Sequence, residues 1–321
     1  MTLEEFRNKI EAIIQMEGIG LNIYFLLNTD QDQVIKRANI VENVKINLIE
    51  AYRFSLRRII RNEDLTMINL SAADDRQSAI YRYDLEDKPS IFSYFDTIKN
   101  QSAEDPIPLF NFNTDNLSEL EGYFISMGDF EENIIMYRKQ MPVNLFKQGK
   151  IYLVKGHDTQ FDKIEKEFLR IDTKVDVIAA NDSIIITNIS ILERHYEFKA
   201  IIEHEAETSL ENINGLEIFE NIEVLRERVT DTSFARKLSK ISTTSPVFNL
   251  PALHIMQFVR NHQILGNEFR YCEDGSKILL DTKKSQNFFL RLMNDDFLHS
   301  QLTNYDYMTP AKDRLQPGNQ L

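Results

Sequence analysis

The sequence predicts an α+β fold, with mixed, mostly antiparallel strands in the N-terminal half and hairpins plus helices in the C-terminal half. Three observations carry this. Short apolar runs bounded by turn residues crowd the first half, with few helical stripes between them. Asn181-Asp182 separates two such runs as a tight hairpin turn. From Ile189 onward the apolar spacing becomes mostly helical. The change of pattern near residue 170 gives an N-terminal α+β domain (1–170), a C-terminal hairpin-and-helix domain (171–315) and a disordered tail (316–321).

Thr2 and Glu5 have capping-box spacing, and Phe6, Ile10, Ile13 and Ile14 follow at helical intervals, so the first element is a helix. Leu21 to Phe25 and Val34 to Ile40 read as strands across an Asn28-Thr29-Asp30 turn. A second helix carries Val44, Leu48, Tyr52 and Ile59/Ile60. Strands follow at Leu65 to Leu70, Ala79 to Leu85, Ile107 to Phe112, Gly122 to Met127, Ile134 to Lys139 and Ile151 to Val154, with a helix at Ser90 to Lys99 among them. Phe168 to Asp172 and Val175 to Ala180 are extended, the latter pairing with Ser183 to Ile186. Helices are expected at Ile189 to Leu210, Leu216 to Val229, Asp231 to Ile241 and Pro251 to Leu265, with Asp231 as an N-cap and Pro251 at a first helical position. A hairpin through Asp274-Gly275 joins Phe269 to Cys272 with Lys277 to Leu280, and a helix over Lys283 to Met293 closes the series.

Composition narrows the function classes. The 321 residues include 21 Phe and 12 Tyr, enough to offset chain entropy and exclude wholesale disorder. One cysteine, Cys272, forms no internal disulfide, and no apolar run approaches the roughly 20 residues needed to span a bilayer. An acidic amphipathic start is unlike a secretion signal, so a cytoplasmic location is expected. With 10 glycines, the chain lacks phosphate-cradling loops: Gly18-Ile19-Gly20 has no third glycine, and Gly149-Lys150 precedes Ile151 where Ser or Thr is required. His204-Glu205 opens like a zinc-protease helix, but Thr208 stands where the second imidazole belongs. Glu86-Asp87-Lys88, Glu197-Phe198-Lys199 and the pair Asp295-Asp296 keep a metal-dependent nuclease as the alternative. Otherwise no catalytic residue, metal site or cofactor is expected, and no small-molecule substrate.

Charge segregates along the chain, although 37 bases against 50 acids leave a net −13. Residues 133–157 hold Arg138, Lys139, Lys147, Lys150 and Lys155 and no acid. A second basic stretch, 232–294, includes Arg236, Lys237 and Lys240, whereas 193–227 is strongly acidic. Such segregation makes a cationic groove for phosphates within an acidic protein, and these eight residues are the expected DNA-binding set. Arg57, Arg58 and Arg61 on the second helix fit either a partner or phosphate, or a helix end gaining from its own dipole.

Dispersed positions in the second half carry a resemblance. They are Phe168-Leu169-Arg170-Ile171-Asp172, Val175-Asp176, Asn181-Asp182-Ser183-Ile184, Leu192-Glu193, Ala235-Arg236-Lys237-Leu238, Leu292-Met293-Asn294-Asp295-Asp296-Phe297-Leu298, Leu302-Thr303, Tyr305 and Lys312. With Val34-Ile35-Lys36-Arg37-Ala38 earlier, this pattern resembles the KwaB family, the second component of the bacterial Kiwa anti-phage defence system. The resemblance implies a cytoplasmic homodimer that binds DNA. It also implies a small multi-pass membrane partner, KwaA, that responds to phage at the envelope and holds the protein at the inner membrane, while the KwaB-like protein suppresses phage replication and transcription. An interaction module that contacts the membrane partner without DNA is a further alternative.

Overall fold

The computed structural model describes residues 1–73, 76–102, 104–129, 131–140, 153–155, 161–163 and 169–309. The fold is mixed α and β, with a mostly antiparallel sheet in the N-terminal half and helices toward the C-terminus. By internal contacts it divides into two units. The first comprises Met1–Met67, Ile80–Arg82 and Ile91–Ile191, and the second Ile68–Ala79, Tyr83–Ser90 and Leu192–Leu321.

The chain runs α1 (Leu3–Gln15), β1 (Gly20–Asn28), β2 (Gln33–Arg37), α2 (Glu42–Ile60), β3 (Thr66–Asn69), β4 (Ala79–Arg82), α3 (Ser93–Lys99), β5 (Leu120–Gly128) and β6 (Asn133–Lys139), all in the first unit except Ile68 and Asn69 of β3 and Ala79 of β4. It continues through the small hairpin β7 (Leu153–Lys155) and β8 (Phe161–Lys163) to β9 (Val177–Ala180) and β10 (Ser183–Ile186). Eight of these strands form one sheet in the order β2-β1-β5-β6-β9-β10-β4-β3. The capping box forms as expected: Glu5 N–H donates to Thr2 Oγ1, and Thr2 N–H to Glu5 Oε2.

Strand periodicity sends Leu21, Ile23, Phe25 and Leu27 of β1, and Tyr123, Ile125 and Met127 of β5, to one face. Phe6, Ile10, Ile13 and Ile14 of α1 and Ile49, Tyr52, Leu56 and Ile60 of α2 bury against that face. The stripe on α2 therefore begins later than the sequence suggested, since Val44 is exposed and full burial starts at Ile49. The opposite face is also covered. Phe124 meets Phe95 of α3 edge-on at 5.1 Å between ring centres and Tyr137 at 4.8 Å. The Asn181-Asp182 hairpin joins β9 to β10, with Asn181 at the positive φ (53°) its turn requires, and it belongs to this first unit.

The second unit takes α4 (Ile189–Arg194) from its fourth residue, Leu192, then α5 (Phe198–Asn214), β11 (Phe219–Glu220), α6 (Glu223–Arg226), α7 (Thr232–Thr244), α8 (Ala252–Asn261) and α9 (Leu265–Glu268). It ends with β12 (Arg270–Tyr271), β13 (Ile278–Leu279), α10 (Lys283–Met293) and a hairpin of β14 (Phe297–His299) with β15 (Asp306–Met308). Its core pairs α5 with α7, burying Phe198, Ile202, Ala206 and Leu210 with Phe234, Ala235, Leu238 and Ile241. Asp231 caps α7 by accepting from the Ser233 and Phe234 N–H groups, as its sequence position indicated.

Several elements differ from expectation. The helix over Ile189 to Leu210 breaks where Tyr196 and Glu197 adopt left-handed φ values of 62° and 61°, a turn that lets both Tyr196 and Phe198 be buried. Within Leu216 to Val229, Phe219–Glu220 pairs parallel to β13, which leaves α6 a single turn. Ile107 to Phe112 forms no strand, only a bridge from Leu109 to Arg37. Pro251 precedes α8 as its N-cap residue. Ile151, Tyr152, Phe168 and the tail 316–321 lie outside the described residues. Among the described residues no helix is long and apolar enough to cross a membrane.

Candidate nucleic-acid interface

The segment 133–157 starts on β6, whose last residues are Arg138 and Lys139. The side chain of Arg138 is only 12% exposed and lies between two carboxylates. Its Nη1 donates to Asp176 Oδ1 at 2.8 Å and its Nη2 to Asp172 Oδ2 at 3.1 Å, while Nε stands 3.1 Å from Asp172 Oδ1 as a charge contact. Asp176 is fully buried, and it also accepts from the Lys139 N–H and from Asn188 Nδ2, both at 2.9 Å. Burial alone pulls the Arg138 pKa down, but the two carboxylates more than offset it, and the net direction is up. The Tyr123 hydroxyl donates to the Asp172 carbonyl at 2.9 Å, with Tyr52 approaching the same oxygen at 3.2 Å. Burial above all raises both phenols above their ordinary value, helped at Tyr52 by the Tyr123 phenol and then Asp172, and at Tyr123 by Asp172. This network clamps the stretch 172–176 onto the end of β6.

The other expected contacts are distributed as follows. Lys139 pairs with Glu121 at 2.9 Å, and Glu121 also accepts from Gln33. Lys147 and Lys150 lie outside the described residues, and Lys155 ends β7. In the second unit Arg236, Lys237 and Lys240 share α7, where Arg236 pairs with Glu193, Lys237 is exposed and Lys240 is half-buried. Arg138, Lys139 and Arg236 therefore offer a ligand less net positive charge than their number implies, because each already faces a carboxylate.

The acidic candidates do not converge. Asp295 is exposed at a positive φ of 59°, whereas Asp296 is buried with its N–H on the Arg291 carbonyl. Among the described residues no three His, Cys, Asp or Glu side chains are grouped so as to hold a metal ion. A different acidic group does form: Glu205 of α5 has its pKa raised by burial and by Asp87, Glu86 and Asp84, with His204 opposing. A carboxyl that holds its proton more tightly when folded favours the folded state at low pH and disfavours it as pH rises through the folded pKa. Glu205→Gln is thus expected to raise the melting temperature by about 1–2 °C at pH 7.5, as for a screened surface charge worth ~0.5 kcal/mol. Thermal scans at pH 7.5 and below pH ~4 check this, because the gap should close at the lower pH, where the wild-type carboxyl is protonated in both states.

The sequence reading undervalued α2. Phe54, Arg57, Arg58 and Arg61 stand at i, i+3, i+4 and i+7, which places them on one helical face. They line an open depression of about 470 Å³ with Asn62. Arginines near a helix C-terminus need no function to explain them. The missed signal was the phenylalanine in register with them, 64% exposed.

Comparison with known proteins places this α+β chain among the components of the Kiwa anti-phage defence system. The family described as Kiwa protein KwaB-like matches residues 117–303, and the chain belongs to that family. Kiwa protein KwaB of Escherichia coli O55:H7 (strain RM12579 / EPEC) is 30% identical to it over 322 residues, covering 98% of this chain and 99% of that protein. No solved structure matches the chain. The matched range holds the whole Arg138–Asp172–Asp176–Asn188 network and α7, and excludes α2.

Proposed function

We propose that this protein is the DNA-engaging component of a Kiwa system. It acts as a homodimer that holds duplex DNA through phosphates without reading sequence, and works with a KwaA-like membrane partner to block phage replication and transcription. It does so by binding and not by cleavage. Family membership supports the defence role, and the acid-free basic segment 133–157 is the observation that supports DNA as the ligand. In this reading Lys147, Lys150 and Lys155 contact phosphates, Arg138 and Lys139 root the segment on the sheet, and Arg236, Lys237 and Lys240 form a secondary surface.

Phosphate contacts release counterions, so affinity falls steeply with salt. A 30-base-pair duplex of any sequence should bind in a gel-shift titration, with a loss of about 10³-fold between 50 and 200 mM salt if some six phosphates are engaged. Lys147→Glu/Lys150→Glu should weaken binding at every salt concentration and flatten the log–log slope by about 2. Unchanged affinity and slope in that variant would remove the segment from the interface. Co-purification with the membrane partner after nuclease treatment tests the second half of the reading, since a complex bridged by DNA alone would be lost.

A further inference from the structure

Among the described residues Arg57, Arg58 and Arg61 form no ion pair, and the Phe54 ring makes no ring contact and no cation–π contact. That sets this face apart from β6 and α7, where Arg138, Lys139 and Arg236 are matched by acids. One turn back, Glu50 is paired with Arg53, and Arg53 Nη2 also donates to the Met16 carbonyl, so that carboxylate does not neutralise the triad. The Asn62 carbonyl at the rim already accepts from Arg7. What remains is an uncovered aromatic ring flanked by three guanidiniums on a rigid, 19-residue helix.

A guanidinium fork matches phosphate oxygens, and a bare ring matches the face of a base. In an intact duplex base faces are covered by their neighbours, so such a ring gains only where a base is unpaired. A lipid surface would call for a broader apolar patch, whereas the helical neighbours of Phe54 on this face are Asn47, Glu50, the arginines and the single methyl of Ala51. We propose that the Phe54, Arg57, Arg58 and Arg61 face of α2 is a docking site for an unpaired nucleotide, the ring stacking on the base and the guanidiniums holding the flanking phosphates. This deepens the DNA-binding reading above and rests on it: the protein would grip duplex through its basic segment and prefer strand ends or gaps through α2.

The chain contains no tryptophan, so Phe54→Trp in the full-length protein places the sole indole at the site. Its fluorescence should quench and saturate on adding a 20-nucleotide oligo(dT), as a stacked base requires. Phe54→Ala should bind oligo(dT) about tenfold more weakly, a stacking loss of ~1.4 kcal/mol, while its affinity for covalently closed circular duplex stays within twofold of wild type. Arg58→Gln/Arg61→Gln should lower the single-strand salt slope by about 1.4. Unquenched indole emission together with wild-type oligo(dT) affinity in Phe54→Ala would overturn the inference while leaving duplex binding intact. An emission shift on phosphatidylglycerol vesicles but not on oligo(dT) would overturn it in favour of a membrane surface. Quenching by oligo(dT) without any duplex binding would uphold this site and sink the duplex reading instead.

Discussion

Replacing Asp176 with alanine is expected to destabilise the sheet-bearing unit by about 3–5 kcal/mol, because it leaves a nearly buried guanidinium short of a partner. Asp176 is fully buried and serves three donors at once: Arg138 Nη1, the Lys139 N–H and Asn188 Nδ2. Removing its carboxylate orphans the amide and the asparagine as well, and each such group carries a cost of about 1–3 kcal/mol when desolvated. Arg138→Ala should cost a similar amount through the opposite charge. The double variant Arg138→Met/Asp176→Leu should lose far less than the sum, since burying neither charge avoids both desolvation penalties. Urea midpoints at constant m-value measure all three. A loss below ~1 kcal/mol for Asp176→Ala would mean that water replaces the carboxylate and that the clamp is not what holds 172–176 to β6. The same series separates two roles for Arg138: a phosphate contact would alter the salt slope of DNA binding, and a clamp would alter stability.

Phe124→Ala is the other large expected effect, about 3–5 kcal/mol for emptying a packed aromatic site. The ring is fully buried on the face of the sheet opposite α1 and α2, between Phe95 at 5.1 Å and Tyr137 at 4.8 Å. The Tyr94 ring packs on it as well, at 6.2 Å between ring centres, and neighbours that are themselves packed rings relax only partly into the cavity. Chemical denaturation should show the loss, and DNA affinity per folded molecule should stay within twofold. Phe54 makes the converse comparison: exposed, it should contribute to binding and almost nothing to stability.

Much of the fold was legible in local chemistry. The Thr2/Glu5 box, the Asn181-Asp182 turn and the Asp231 cap each act within a few residues, and each forms as its spacing indicates. The failures share one cause. Phe219–Glu220 extends because β13 lies alongside it, and the helix breaks at Tyr196 because two rings on either side must be buried, which are tertiary facts that helical periodicity does not encode. The same holds for the site. Segment charge pointed to Arg138, Lys139 and Arg236, but their acidic partners are Glu121, Asp172, Asp176 and Glu193, 18 or more residues away in every case and so invisible in a local charge sum. Arg57, Arg58 and Arg61 lack such partners among the described residues, and in the sequence only the in-register Phe54 hinted at that difference.

The alternation of the chain between its two units bears on how the protein can be made and cut. Leu70 is buried within the second unit, where its short 3-10 turn lies against α7, and Asp84 accepts from both the Ser71 N–H and the Ser71 hydroxyl. On the ribosome, Ile68–Ala79 and Tyr83–Ser90 emerge early and wait for α7 before their unit closes. A fragment begun at Leu192 would lack both segments and should be poorly soluble, and one ended at Ile191 would carry them with nothing to bury Leu70. Protease nicking at residue 191 should therefore leave two pieces that stay associated until denatured, and dissection of binding activities is better done by point substitution than by truncation.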